Sequence, residues 1–332
     1  MRERGFTLVE LMISMVLGLV VIGGAMGVIV ANRQSYRANE GLSQIQESAR
    51  TAFELLARDV RQAGVTGCDS SGRIANVLIE QPGATPAWWQ NWFGMRGFDG
   101  SQTDSAVGFG SSTLDNRISG TDSLQLQGID GTGLTVVKHN ANAAEFQISA
   151  PTTAIAPDDI LMVCDFDHAA IFKVTNYNSA NTTLVHNTGS GDWPRNCSKG
   201  LGYPTDCGPS ATGNSYTYGP NSQIARFSAV DWYVGDNGRP AEGGRSLFRR
   251  RIGGAREEVV AGVSDMQITY RESGRSDFVP ASPSVVWANV NAVMITLTLQ
   301  SPDQRISTDT SVNSGRLQRV FTNVITLRNR VP

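Results

Sequence analysis

Phe6-Thr7-Leu8-Val9-Glu10-Leu11-Met12-Ile13-Ser14-Met15-Val16-Leu17-Gly18-Leu19-Val20-Val21-Ile22-Gly23-Gly24-Ala25-Met26-Gly27-Val28-Ile29-Val30-Ala31 is the stretch whose reading decides the fold. From Leu11 to Ala31 it runs 21 residues without a charge. As a helix rising ~1.5 Å per residue that run is about 32 Å long, which matches a hydrocarbon core of about 30 Å. It therefore reads as a membrane-spanning helix. One carboxylate, Glu10, sits just inside its entry. Met1-Arg2-Glu3-Arg4-Gly5 precedes it, with two arginines to stay on the cytoplasmic side. Arg33 and Arg37 lie beyond the other end, so loop charge alone orients the helix weakly.

Past Asn32 the pattern turns amphipathic. Leu42, Ile45, Ala49, Phe53, Leu56, Val60 and Ala63 step by three or four residues, which marks one helical face. Charged residues fill the other positions, no proline intervenes, and Gly64 is a fitting stop. The expectation is one helix from about Phe6 to Ala63, apolar all round in its first half and one-faced in its second. The remainder is rich in Gly, Asn, Ser and Thr with many short alternating segments, so the fold class is α+β with a β-rich body.

Gly5-Phe6-Thr7-Leu8-Val9-Glu10, standing before the apolar run, resembles the type III signal of type IV prepilins and pseudopilins. An ordinary secretory signal has a shorter apolar core and a small-residue cleavage site after it; Val28-Ile29-Val30-Ala31-Asn32-Arg33 is a poor one. The resemblance implies cleavage between Gly5 and Phe6 by a prepilin peptidase, N-methylation of Phe6, and retention of the helix. It also implies that Glu10 pairs with the N-terminal amine of a neighbouring subunit and sets register. Leu55-Leu56-Ala57-Arg58-Asp59-Val60-Arg61-Gln62-Ala63-Gly64, leading to Cys68, is similar to the helix end of PilW-like minor pilins. Trp287–Leu297 and Arg319–Arg330 look like that family's final two strands. A pilin-like fold is then implied, with residues 1–5 as leader, 6–31 as the membrane half of the helix, 32–64 as its amphipathic half, and 65–332 as an extracytoplasmic body.

Four cysteines in an exported body suit two disulfides. Cys197 and Cys207 would close a short loop within the Gly/Ser/Asn-rich tract 187–222, and elimination leaves Cys68 with Cys164. Four cysteines permit three pairings, and a zinc site is the alternative, disfavoured because no Cys-x-x-Cys is present. Trp88, Trp89, Trp92, Phe93 and Phe98 form a dense aromatic cluster, read as packing or loop anchoring, with a partner or carbohydrate surface as the sharper reading.

Strands are expected at Ile74–Glu80, Ser123–Gln127, Leu134–Lys138, Glu145–Ser149, Asp159–Phe166, Ala170–Asn176, Ala225–Gly235, Ser246–Ile252, Met266–Arg271, Val293–Gln300 and Val320–Arg328. His139, His168 and His186 are scattered, with no metal-ligand spacing. Asp165, Asp167 and His168 read as a solvated turn, and Arg249-Arg250-Arg251 as the exposed face of a strand or a contact for an acidic partner. There is no Gly-x-Ser-x-Gly and no phosphate-binding loop. No enzyme activity, cofactor or metal is expected, and a net charge of −2 gives no reason to expect nucleic acid as a partner.

The resemblance implies a minor pilin of a type IV pilus, serving pilus biogenesis, twitching motility, adhesion and DNA uptake. Its partners would be other minor and major pilins, the prepilin peptidase, the assembly platform and a tip adhesin. It would sit in the inner membrane with its body in the periplasm before assembly, and on the cell surface after. A minor pseudopilin of a type II secretion system is the near alternative. A membrane-anchored periplasmic enzyme or binding protein is the distant one.

Overall fold

The computed structural model describes residues 7–68, 72–110, 114–189, 191–208, 212–307, 313–327 and Arg330. A single helix, α1, spans Leu8–Gln62, 55 residues and so about 82 Å at ~1.5 Å each. Thr7 opens it with a capping box: its hydroxyl accepts from the Glu10 N–H, and its own N–H donates to the Glu10 carboxylate. Every residue from Thr7 to Arg37 is exposed. This half holds a window long and apolar enough to cross a membrane, none of it buried against the body.

Burial begins at Gly41 and continues through Ile45, Ala49, Ala52, Leu56, Ala57 and Val60. The face is rotated slightly from the expected one. Leu42 and Phe53 are half-buried, and Gly41 takes the contact. A Cβ on Gly41 would stand 3.4 Å from Ser301 and 3.5 Å from Ile306 and Leu317, which is ordinary contact, so the loop packs directly on the helix here. The helix ends where Ala63 turns extended and Gly64 adopts φ +74°, its N–H donating to the Gln127 carbonyl at 2.7 Å.

The body is largely antiparallel. Its long strands are β1 (Ser123–Asn140), β2 (Ile160–Cys164), β3 (Ala169–Lys173), β4 (Gln223–Asp236), β5 (Arg245–Arg251), β6 (Arg256–Ala261), β7 (Val263–Glu272), β8 (Val290–Gln300) and β9 (Gln318–Thr326). The larger sheet is centred on β4, which pairs with β1, β2 and β5. The smaller sheet sets β7, β8 and β9 side by side, with the short strand Val279–Pro280 at its edge. Ile74–Asn76 pairs in parallel with β3, and Phe109 bridges Arg117 in parallel, within an otherwise antiparallel pattern among the described residues. The segments expected at 123–127 and 134–138 are not two strands of a hairpin. They are one strand, β1, with a register shift that leaves Thr132 and Gly133 without partners on β4.

Ile45, Ala49, Ala52, Leu56 and Val60 of α1 share one core with Trp232 and Val234 of β4, Met266 and Ile268 of β7, and Ile295 and Leu297 of β8. The helix thus spans both sheets. A second core around Phe146, Phe172, Leu161 and Tyr218 fills the far lobe. A third joins Trp89 to Met162, Ile171 and Phe227.

The interior also hides an acid. Asp231 of β4 is fully buried, and no donor reaches either of its carboxylate oxygens. Burial and the neighbouring Asp104 carboxylate push its carboxyl well above the usual range, against a weaker pull from Arg117. Asp104 is itself held by the Ala106 N–H at 2.7 Å and by Gln125, and the neutral Asp231 carboxyl has an O–H to donate to it. Asp231→Asn replaces that O–H by an N–H. It should leave the stability of the body at neutral pH within about 1 kcal/mol of wild type. A loss of several kcal/mol in denaturant unfolding would contradict this.

Candidate functional site: the head of the helix and its junction with the body

The head of α1 is the site the sequence singled out. Gly5 and Phe6 lie outside the described residues. Glu10 is described: its carboxylate Oε2 accepts from Thr7 N–H at 3.1 Å and from Thr7 Oγ1 at 3.0 Å. Ser14 Oγ donates to the Glu10 carbonyl at 2.7 Å. Among the described residues no part of the body hydrogen-bonds to Glu10. The sequence reading missed the capping box, although Thr7 and Glu10 stand at its spacing. The box matters for chemistry, because it holds the carboxylate beside the residue that follows Phe6.

Above the membrane half, α1 is locked to the sheets by the run Leu55–Gly64. Asp59 turns inward and accepts from Trp232 Nε1 at 2.9 Å, with Arg249 Nη1 at 4.0 Å. Burial pushes the Asp59 carboxyl up, and the Trp232 hydrogen bond and the Arg249 charge pull it back. Arg249 lies over the Trp232 ring at 5.4 Å and binds Glu257 at 2.8 Å. Arg250 donates to the Ala106 carbonyl. Of the three arginines read as an exposed strand face, only Arg251 is exposed; the other two work inside the body.

Cys68 is joined to Cys164, and Cys197 to Cys207. The first bond links the turn after α1 to the end of β2. The second closes part of the 187–222 tract, whose described residues are loop apart from Arg195–Asn196. Trp89 is buried, and Trp88 and Trp92 are half-buried against the same cluster. Trp89 and Trp92 meet Phe227 with ring centres 6.4 and 6.2 Å apart. These rings serve packing, the simpler of the two readings.

Asp165, Asp167 and His168 form the tight turn between β2 and β3. Asp165 caps the Asp167 and His168 N–H groups, and its other oxygen accepts from Tyr216 at 2.8 Å. Asp167 pairs with Arg73, and His168 stacks on Tyr216 at 3.9 Å. The turn is therefore not merely solvated but ties the long loop to the sheet.

Sequence reading did not bring His139 and His186 together; the fold does. Their Nε2 atoms are 3.2 Å apart in the far-lobe core, among Phe146 and Tyr218. His139 Nδ1 accepts from the Tyr218 N–H at 3.1 Å. Neutral His139 therefore carries its proton on Nε2 and donates to His186, whose own proton then rests on Nδ1, without an acceptor. Forty-seven residues separate the two, so no local spacing could have shown the pair.

Burial lowers His139 to about 4 and holds His186 well below its ordinary value. Between pH 6.5 and about 4 the unfolded chain binds protons that folded His139 refuses, so stability falls as pH drops through that window, by on the order of 3 kcal/mol. Asp122, raised by burial to about 6, works in the opposite sense between 3.8 and 6, because there the folded chain takes the proton first. Imidazole resonances separate the two effects: His139 should titrate near 4 and His186 well below its ordinary value, and a midpoint near 6.5 for either would contradict the buried neutral pair.

Among the described residues no group of three or more His, Cys, Asp or Glu side chains is placed to hold a metal ion.

A family model described as the prokaryotic N-terminal methylation motif matches residues 1–26. A solved structure, a type IV-like pilin from Thermus thermophilus, is similar at 12% identity, covering 54% of this chain and 88% of that one with a TM-score of 0.19. No curated protein matches the chain. The chain thus joins a prokaryotic N-terminal methylation motif to one long apolar-headed helix packed on a largely antiparallel sheet body.

Proposed function

We propose that this chain is a minor pilin, a structural and assembly-priming subunit of a type IV pilus, processed between Gly5 and Phe6 and methylated on Phe6. One observation carries the reading. A methylation motif leads without a break into an exposed apolar helical half, and that helix continues as the spine of a folded body. An apolar half without body contacts needs an apolar environment, and the two on offer are a bilayer and a bundle of like helices. The leader, residues 1–5, would be removed. Residues 6–31 would pass from membrane to filament core, and 32–64 would carry the body at 65–332.

Partners follow from the same reading: other minor and major pilins around the helix, a prepilin peptidase at Gly5-Phe6, an assembly platform below, and a tip adhesin above. The length of the body and the Asp59-to-Cys68 run support a pilus subunit over a secretion pseudopilin. Deleting the chain tests this. Loss of surface filaments and twitching with intact export of secreted proteins is the expected result. Lost export with normal filaments would mean a type II secretion pseudopilin instead.

A further inference from the structure

Where the apolar half of α1 meets the body, three guanidinium groups gather. Arg33 and Arg37 lie two and six residues past Ala31, which at ~1.5 Å per residue is about 3 and 9 Å above the end of the apolar run. Arg305 comes from the loop after β8. Together with Val30, Gln34 and Ile306 they line an open groove of about 380 Å³.

The described parts of the loop are tied down by hydrogen bonds. Arg316 is buried and donates to the Ser301 carbonyl at 2.9 Å and to those of Pro302 and Ala241. The Ile306 N–H donates to Gly315 at 2.9 Å, and the Arg305 N–H to Ser314 at 3.1 Å. The loop packs on the helix at Gly41, beside Ser301, Ile306 and Leu317. The only counter-charge paired with these three arginines among the described residues is Asp303, 3.4 Å from Arg37. The cluster thus keeps an excess of positive charge at the level of the headgroups, on the side of the membrane where such charge is usually sparse.

We propose that Arg33, Arg37 and Arg305 form a headgroup site for an anionic phospholipid of the leaflet facing the body. The proposal rests on the membrane-anchored reading of α1. Three features select a lipid. The groove opens at the end of the apolar run, its floor is apolar at Val30 and Ile306 where a glycerol backbone would pass, and guanidinium groups match phosphate oxygens in pairs. Such a site would fix the depth and rotation of the helix before extraction, and a subunit entering a filament would have to release the lipid.

The test uses the full chain in nanodiscs of phosphatidylcholine doped with phosphatidylglycerol, with native mass spectrometry of the retained lipids. Wild type should hold phosphatidylglycerol in preference to its share of the disc. Each of Arg33→Gln, Arg37→Gln and Arg305→Gln should reduce that preference about fivefold. Added salt should weaken it, since the groove is open to solvent. Insertion with lipids retained in the input ratio overturns the proposal alone. Failure of the chain to enter the disc overturns it together with the membrane reading. A triple variant that keeps the lipid preference but fails to assemble would show that these arginines face a protein, which also overturns it.

Discussion

Glu10→Ala should reduce incorporation into surface filaments by roughly a hundredfold or more while leaving the melting of the body unchanged. The body cannot feel the change, because the contacts of Glu10 are confined to the head of α1. The assembly can, because a charge in an apolar bundle leaves an unmatched partner when its mate is removed. Alanine also breaks the capping box, so Glu10→Gln is the sharper variant. Glutamine can still serve the box with Thr7, but it carries no charge to meet an amine. If Glu10→Gln assembles like wild type, the residue is a helix cap and the ion-pair role is wrong. If both variants fail alike, the charge is what assembly needs.

Removing the Cys68–Cys164 bond should cost the body about 4–5 kcal/mol, the loop-closure value for a separation of 96 residues. Its position adds a structural consequence. Cys68 follows the turn that ends α1, and Cys164 ends β2, so the bond fixes the helix end to the larger sheet. The Gly64 N–H with the Gln127 carbonyl, and Asp59 with Trp232, are polar links across the same junction. Cys197–Cys207 closes a loop of separation 10 and should be worth about 3 kcal/mol by the same relation. Denaturant unfolding of Cys68→Ser/Cys164→Ser against Cys197→Ser/Cys207→Ser checks the order. A larger loss from the shorter loop would contradict it.

Much of this architecture was legible because its signals are long. An uncharged run of 21 residues and an uninterrupted amphipathic continuation leave little choice but a single helix. The β-branched run Ala292–Leu299 likewise reads as a central strand, and β8 lies between β7 and β9. What failed was the reading of glycines. The tract Gly128–Gly133 looked like a turn between two strands. Gly128 is there because a Cβ would meet the Gln62 carbonyl at 2.6 Å, and the strand runs on past it. Gly41 sits within the helix as a contact point for the body. β6 was missed because Arg256-Glu257-Glu258 does not alternate; it is an outer strand whose charges serve Arg249 and Arg239.

At the candidate site, Glu10 was legible from its motif, and its bond to Thr7 was legible in principle from capping spacing. The arginine groove was not. Arg33 and Arg37 are 266 residues or more from their loop partners, and only the fold closes that distance. The His139–His186 pair was hidden for the same reason.

The central claim, that this chain is a processed filament subunit, is tested most directly by mass spectrometry of its N-terminal peptide in sheared surface filaments and in the remaining membranes. The account predicts a chain beginning at N-methylated Phe6 in the sheared fraction. Met1, or Gly5 still attached to Phe6, in both fractions would contradict it.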